Sequence, residues 1–60
     1  MLSSQDTNRA AALMVAQLGE VALPAAILRS QEAAERGALV DMINWRRIAE
    51  AERTLLRLDA

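Results

Sequence analysis

The amino-acid sequence predicts one small all-α domain, residues 1–60, built from three short helices. Of its 60 residues, 53% are hydrophobic but only 2% are aromatic, and the abundant alanine and leucine favour closely packed helices over strands. Apolar residues recur at steps of three and four, which is the period of a helix face. The two glycines and the single proline lie where these periodic stretches end or begin.

The first helix, helix A, is predicted from about residue 4 to residue 18. Three side chains near its start carry an oxygen that can accept a backbone N–H of the first turn: Ser3, Ser4 and Asp6. The spacing of one helix face is occupied by Ala11, Met14, Val15 and Leu18. Gly19 follows at the position where a glycine of positive φ commonly ends a helix.

Helix B is predicted from about residue 22 to residue 36. Pro24 lacks an N–H and therefore fits best in the first turn of a helix. Glu32 and Arg36 stand four residues apart on an exposed face, and Gly37 ends the helix. Alternatively, helices A and B form one rod that is kinked at Gly19 and Pro24.

Helix C, from about residue 39 to residue 58, is the clearest element and forms a helical hairpin with helix B, on which helix A packs. Its apolar stripe consists of Met42, Trp45, Ile48, Ala49, Leu55 and Leu56. Glu52 interrupts this stripe. We interpret it as a boundary residue whose head reaches solvent; the alternative is a charge paired across an interface. The opposite, solvated face carries Arg46, Glu50, Arg53 and Arg57.

The only aromatic side chain, Trp45, is predicted to anchor the core or a self-association surface. Met42, Ile48 and Leu55 lie beside it on the same helix face, and Trp45 offers the largest contact area in the chain. Arg46, about 100° further round the helix, is predicted to point to water. We expect Arg47 to be largely solvated as well.

The composition disfavours an enzyme, a cofactor-binding protein or a metalloprotein. The chain contains neither histidine nor cysteine. Histidine is the side chain that ordinarily titrates near neutrality, and cysteine is a readily activated nucleophile. Two distant glycines cannot build a phosphate-binding loop such as GxGxxG. The glutamates at helical spacing, Glu32 with Glu35 and Glu50 with Glu52, are interpreted as solubilising. We therefore predict no catalytic, cofactor-binding or metal-binding residues.

The net charge of −1 arises from interspersed arginines and carboxylates, without a block of like charge that would attract nucleic acid or an anionic membrane. The start of the chain lacks the basic and long apolar regions of a secretory signal. Charges and helix breakers are expected to prevent any apolar span of 18 residues. We therefore expect a cytoplasmic protein without a membrane partner or a small-molecule substrate. All seven cationic residues are arginine. Codon usage in a GC-rich genome and selection for bidentate contacts both explain this bias, and we favour codon usage.

The sequence contains more large aliphatic residues than the predicted three-helix core can cover, and this surplus is the basis of the predicted function. A chain of this length buries only about 60% of its unfolded surface, and four large aliphatics fall outside the assigned stripes: Leu13, Val40, Ile43 and Leu58. We predict a non-catalytic interaction module that forms a homodimer or higher oligomer, or docks as an accessory subunit on a larger protein.

The alternative is a small DNA-binding regulator that uses Arg46, Arg47 and Arg53 of helix C, with Gly37 as the glycine of a helix-turn-helix. Asp41, Glu50 and Glu52 would then approach phosphates, which disfavours this interpretation. The pattern ILRSQEAAERG…WRRIAEAERTLL resembles small helical proteins of GC-rich bacterial genomes, and this resemblance implies no activity.

Overall fold

The computed structural model describes residues 2–59, which form an all-α helical hairpin and contain no strand. Helix α1 spans Ser4–Leu18 and is followed by a 3₁₀ turn, Gly19–Val21. Helix α2 spans Ala22–Glu35, and helix α3 spans Leu39–Asp59. The predicted fold class is confirmed, and the predicted helix bounds differ from these by no more than one residue.

Helix α1 begins at a side-chain cap supplied by Ser3. Its hydroxyl Oγ accepts a hydrogen bond of 3.0 Å from the backbone N–H of Asp6, so one of the unpaired N–H groups of the first turn is satisfied. The backbone N–H of Thr7 donates to the Ser3 carbonyl over 2.9 Å. Of the three candidate capping residues, Ser3 is therefore the one that caps the helix.

Helices α1 and α2 form one bent helical segment rather than two helices joined by a loop. Gly19 has φ of 59°, a conformation that favours glycine, and its N–H still donates to the carbonyl of Val15. Val21 returns to helical angles immediately before α2, and Pro24 lies in the first turn of α2. The kinked rod therefore describes this part of the chain better than two separate helices.

The hairpin turn between α2 and α3 is a Schellman motif. The N–H of Ala38 donates to the carbonyl of Ala33 over 2.9 Å, and the N–H of Gly37 donates to that of Ala34 over 3.1 Å. Gly37 has φ of 76°, which an L side chain adopts only at a cost. This turn reverses the chain so that α3 packs along α2 and then along α1, whereas α1 and α2 have few mutual contacts.

The core between the helices is lined mainly by alanine. Among the described residues, the buried apolar side chains are Ala11, Ala22, Ala26, Ala33, Ile48 and Ala49. Ile48 is the one large aliphatic in this set, at 5% exposure. Because alanine has a small side chain, the helices approach closely but enclose little apolar surface.

The bent segment Ser4–Glu35 is long and apolar enough, by length and composition alone, to cross a membrane. An 18-residue window in it has a mean hydropathy of 1.8, and only 17% of that window is buried. The expectation that charges and breakers prevent such a span was wrong, since Gly19 and Pro24 bend the helix without ending it. Glu20 is the one charged residue between Arg9 and Arg29. Signal sequences and core helices of soluble proteins share such a composition.

Candidate interaction surface

Trp45 lies at the margin of the core rather than at its centre. It is half-buried and packs against the buried cluster of Ala11, Ala26, Ile48 and Ala49. Leu55 is likewise half-buried and packs against that cluster, while Met42 is half-buried and lines a groove between α2 and α3. Of the four predicted anchor residues, Ile48 is the one that is fully buried.

The Trp45 ring has a cationic neighbour, Arg29, that was not predicted from the sequence. The guanidinium carbon of Arg29 lies 5.4 Å from the ring centroid, within the range of a cation–π interaction. Arg29 and Trp45 each lie eight residues from Gly37 along the chain. Residues equidistant from the turn oppose one another in an antiparallel hairpin, and this symmetry is the signal that could have predicted the pair.

The three arginines of the alternative nucleic-acid site have different environments. Arg46 is exposed, as predicted. Arg53 is bound to Glu50, with Nη1 and Oε1 2.8 Å apart on an exposed part of α3. Arg47 was expected to be solvated, and this was wrong: it is half-buried, and its Nη1 donates to the carbonyl of Leu2 over 2.9 Å.

Arg47 belongs to a polar tie between the start of the chain and α3. The backbone N–H of Leu2 donates to Oδ1 of Asn44 over 3.2 Å, so both backbone groups of Leu2 are bound by side chains one turn apart on α3. This explains why an arginine predicted to face water is turned towards Leu2, next to the start of α1. Asn44 was not singled out in the sequence, since it interrupts no pattern.

Glu52 is the least expected feature of the structure. Its exposure is 0%, and neither carboxyl oxygen has a hydrogen-bond partner among the described residues. The interpretation as a boundary residue with a solvated head was therefore wrong. Burial raises the pKa of Glu52 from 4.5 to about 7, because removal from water disfavours the charged form.

The remaining buried polar groups do not compensate Glu52. The Thr7 hydroxyl donates to the carbonyl of Ser3 over 2.9 Å, and the Ser30 hydroxyl donates to that of Ile27 over 2.7 Å. Both bonds go to a backbone carbonyl three or four residues earlier in the chain, not to Glu52. The other glutamates of the predicted solubilising set, Glu32, Glu35 and Glu50, are exposed, and within the described chain no three acidic groups are close enough to hold a metal ion.

Large aliphatic side chains are mostly outside the core. Those exposed by at least 36% are Leu13, Leu18, Val21, Ile27, Leu28, Leu39, Val40, Ile43 and Leu58. The four residues that the sequence assigned to no stripe are all among them. The accessible surface is 4162 Å², whereas a folded monomer of 6.5 kDa is expected to expose about 3,800 Å². The chain therefore exposes more surface than its size requires.

An open groove of about 480 Å³ runs between α2 and α3. Its lining is mixed, with Ile27, Ala34, Met42 and Ala49 beside Ser30, Gln31, Arg46, Glu50 and Arg53. The groove contains no histidine or cysteine, and the Arg53–Glu50 pair is part of its lining.

Comparison of the chain with protein-family models, with curated proteins and with solved structures finds no match. The class of protein is therefore defined by the fold alone, as a small all-α helical hairpin with an alanine-lined core.

Proposed function

We propose that this protein is a non-catalytic helical interaction module that associates with itself. The observation that carries the proposal is the imbalance between a core of five alanines and one isoleucine and nine exposed large aliphatics. Scattered apolar residues are normal on a protein surface. Here, however, nine large aliphatics are exposed and Ile48 is the one that is buried among the described residues, so burial of the exposed ones requires another surface.

The absence of histidine and cysteine from the sequence supports a non-catalytic role, because the side chains most often used as bases and nucleophiles are missing. Oligomerisation is also a usual way to complete a chain of this size without a disulfide or a metal. We give less weight to DNA binding. Arg47 and Arg53 are each bound within the chain, which leaves Arg46 as the one member of that set without such a contact among the described residues.

Sedimentation velocity over a wide range of protein concentration tests the proposal. Self-association predicts a species of at least twice the 6.5 kDa chain mass that dissociates on dilution, accompanied by a concentration-dependent melting temperature. A helical chain that stays monomeric at every concentration would contradict it. Fluorescence anisotropy with labelled duplex DNA at low salt is the parallel measurement, and salt-sensitive binding there would favour the alternative.

A further inference from the structure

The groove between α2 and α3 combines apolar walls with the side chain of an arginine. Ile27 and Ala34 of α2 and Met42 and Ala49 of α3 supply the apolar part of its lining. Arg46 belongs to the same lining and lies about one helical turn from Met42. The groove therefore presents an apolar surface and a guanidinium group within one site.

The charges of the lining favour an anionic ligand. Two arginines, Arg46 and Arg53, contribute positive charges and Glu50 contributes a negative one, so one positive charge is left over. Arg53 and Glu50 are bound to each other, with Nη1 and Oε1 2.8 Å apart. Arg46 forms no ion pair within the described part of the chain. Its planar guanidinium has the geometry to donate two parallel hydrogen bonds to a carboxylate.

We propose that this groove binds a free amphipathic carboxylate, a molecule with one carboxylate head and an aliphatic tail. The head pairs with Arg46, and the tail lies against the four apolar side chains of the lining. The groove volume of about 480 Å³ falls within the range of about 300–1,000 Å³ that is usual for small-molecule sites. The unbranched side chain of Met42 can follow the shape of such a tail. An inorganic anion would leave the apolar walls uncovered, and a neutral alkyl chain would leave Arg46 unpaired.

This site goes beyond the proposed self-association and does not rest on it. Of the nine exposed large aliphatics that carry that proposal, Ile27 is the one that lines the groove. No small-molecule partner was predicted from the sequence, because the lining comes from two helices and is assembled by the hairpin turn at Gly37.

An NMR titration with decanoate, kept below the concentration at which it forms micelles, tests the site. The chain has three methionines, which are labelled with carbon-13 at the methyl group. The Met42 signal should shift and saturate, whereas the signal of Met14, which packs against the core cluster, should not. Hexanoate should bind at least about tenfold more weakly, because its shorter tail buries less apolar surface. Inorganic phosphate should produce no shift.

Variants test the guanidinium and the space in the groove separately. Arg46→Gln should raise the dissociation constant of decanoate about fivefold, the upper range for an exposed ion pair, and leave that of decanol unchanged. Arg57→Gln is the matched control at an exposed position of α3 outside the groove lining, and it should change neither constant. Ala34→Phe fills the groove and should abolish the Met42 shift, whereas Ala12→Phe at an exposed position of α1 should not. Circular dichroism checks that each variant remains helical.

Four results would overturn the proposal. A Met42 signal that does not respond to decanoate excludes a ligand in this groove, and a Met14 shift that matches the Met42 shift places the ligand elsewhere. Equal affinity for decanoate and decyltrimethylammonium, with no effect of Arg46→Gln, excludes recognition of the carboxylate. A Met42 shift that requires phosphatidylcholine vesicles identifies a lipid surface as the occupant instead of a free molecule. Sedimentation velocity reports self-association independently, so none of these results decides the proposed function.

Discussion

Glu52 should make the protein less stable as the pH rises through neutrality. Its pKa is about 7 in the folded chain against an ordinary value of 4.5, so the folded state binds the proton more tightly than the unfolded state does. The contribution of Glu52 to the free energy of unfolding is therefore largest below about pH 4.5. It falls as the pH rises towards 7 and is constant above that range. A tenfold change in proton affinity corresponds to about 1.4 kcal/mol, so the predicted loss is about 3 kcal/mol.

The structure gives the reason for this direction and size. The buried residues that α1 and α2 present to the core are Thr7, Ala11, Ala22, Ala26, Ser30 and Ala33, and none of them ionises or supplies a countercharge. Desolvation is accordingly the cause of the raised pKa. About 3 kcal/mol is a large fraction of the stability of a chain of this size.

Glu52→Gln removes the ionisation while preserving the shape of the side chain. Urea denaturation is followed by circular dichroism at fixed protein concentration, at pH values that bracket the two pKa values of 4.5 and about 7. The unfolding free energy should fall with rising pH for the wild type and stay nearly constant for the variant. Glu50→Gln is the matched control on an exposed, ion-paired carboxylate, and it should retain the wild-type dependence. Carbon-13 NMR of the Glu52 carboxyl gives its pKa directly. Titration near 4.5, or equal pH dependence in wild type and Glu52→Gln, would refute the reasoning.

Three further predictions concern two half-buried side chains of α3, Arg47 and Trp45, and the Arg29 guanidinium that lies over the Trp45 ring. Arg47→Gln should lower the unfolding free energy by about 1 kcal/mol through loss of the hydrogen bond to the Leu2 carbonyl, whereas Arg46→Gln, at an exposed neighbouring position, should change it little; equal effects in chemical denaturation would contradict the polar tie. Trp45→Ala should lower the free energy of unfolding by about 2–4 kcal/mol, less than the same substitution of a fully buried aromatic residue. The emission wavelength of Trp45 should lie between those of a buried and a hydrated indole. Arg29→Gln should make the ring more accessible to aqueous quenchers, and unchanged quenching would argue against the cation–π contact.

The helices themselves could be predicted because their limits are local properties of the chain. The Ser3 cap, the positive φ of Gly37 and the three-and-four spacing of apolar residues each act within one or two turns. The exposure of Leu13 and Leu58 could also be anticipated, because residues outside every apolar stripe have no neighbouring helix to cover them.

Tertiary packing decided three environments that the sequence did not predict, those of Glu52, Arg47 and Trp45. Each depends on how the three helices pack against one another. Alanines on the inward faces of α1 and α2 allow close packing on α3, and Glu52 is fully enclosed. Its position inside the apolar stripe is consistent with burial, but its charge led us to expect a solvated head. Arg47 is turned inward by a carbonyl 45 positions earlier in the chain, a contact that no periodicity encodes. Trp45 is half-buried because an alanine-lined core provides no space deep enough for an indole, so the largest side chain lies at its margin.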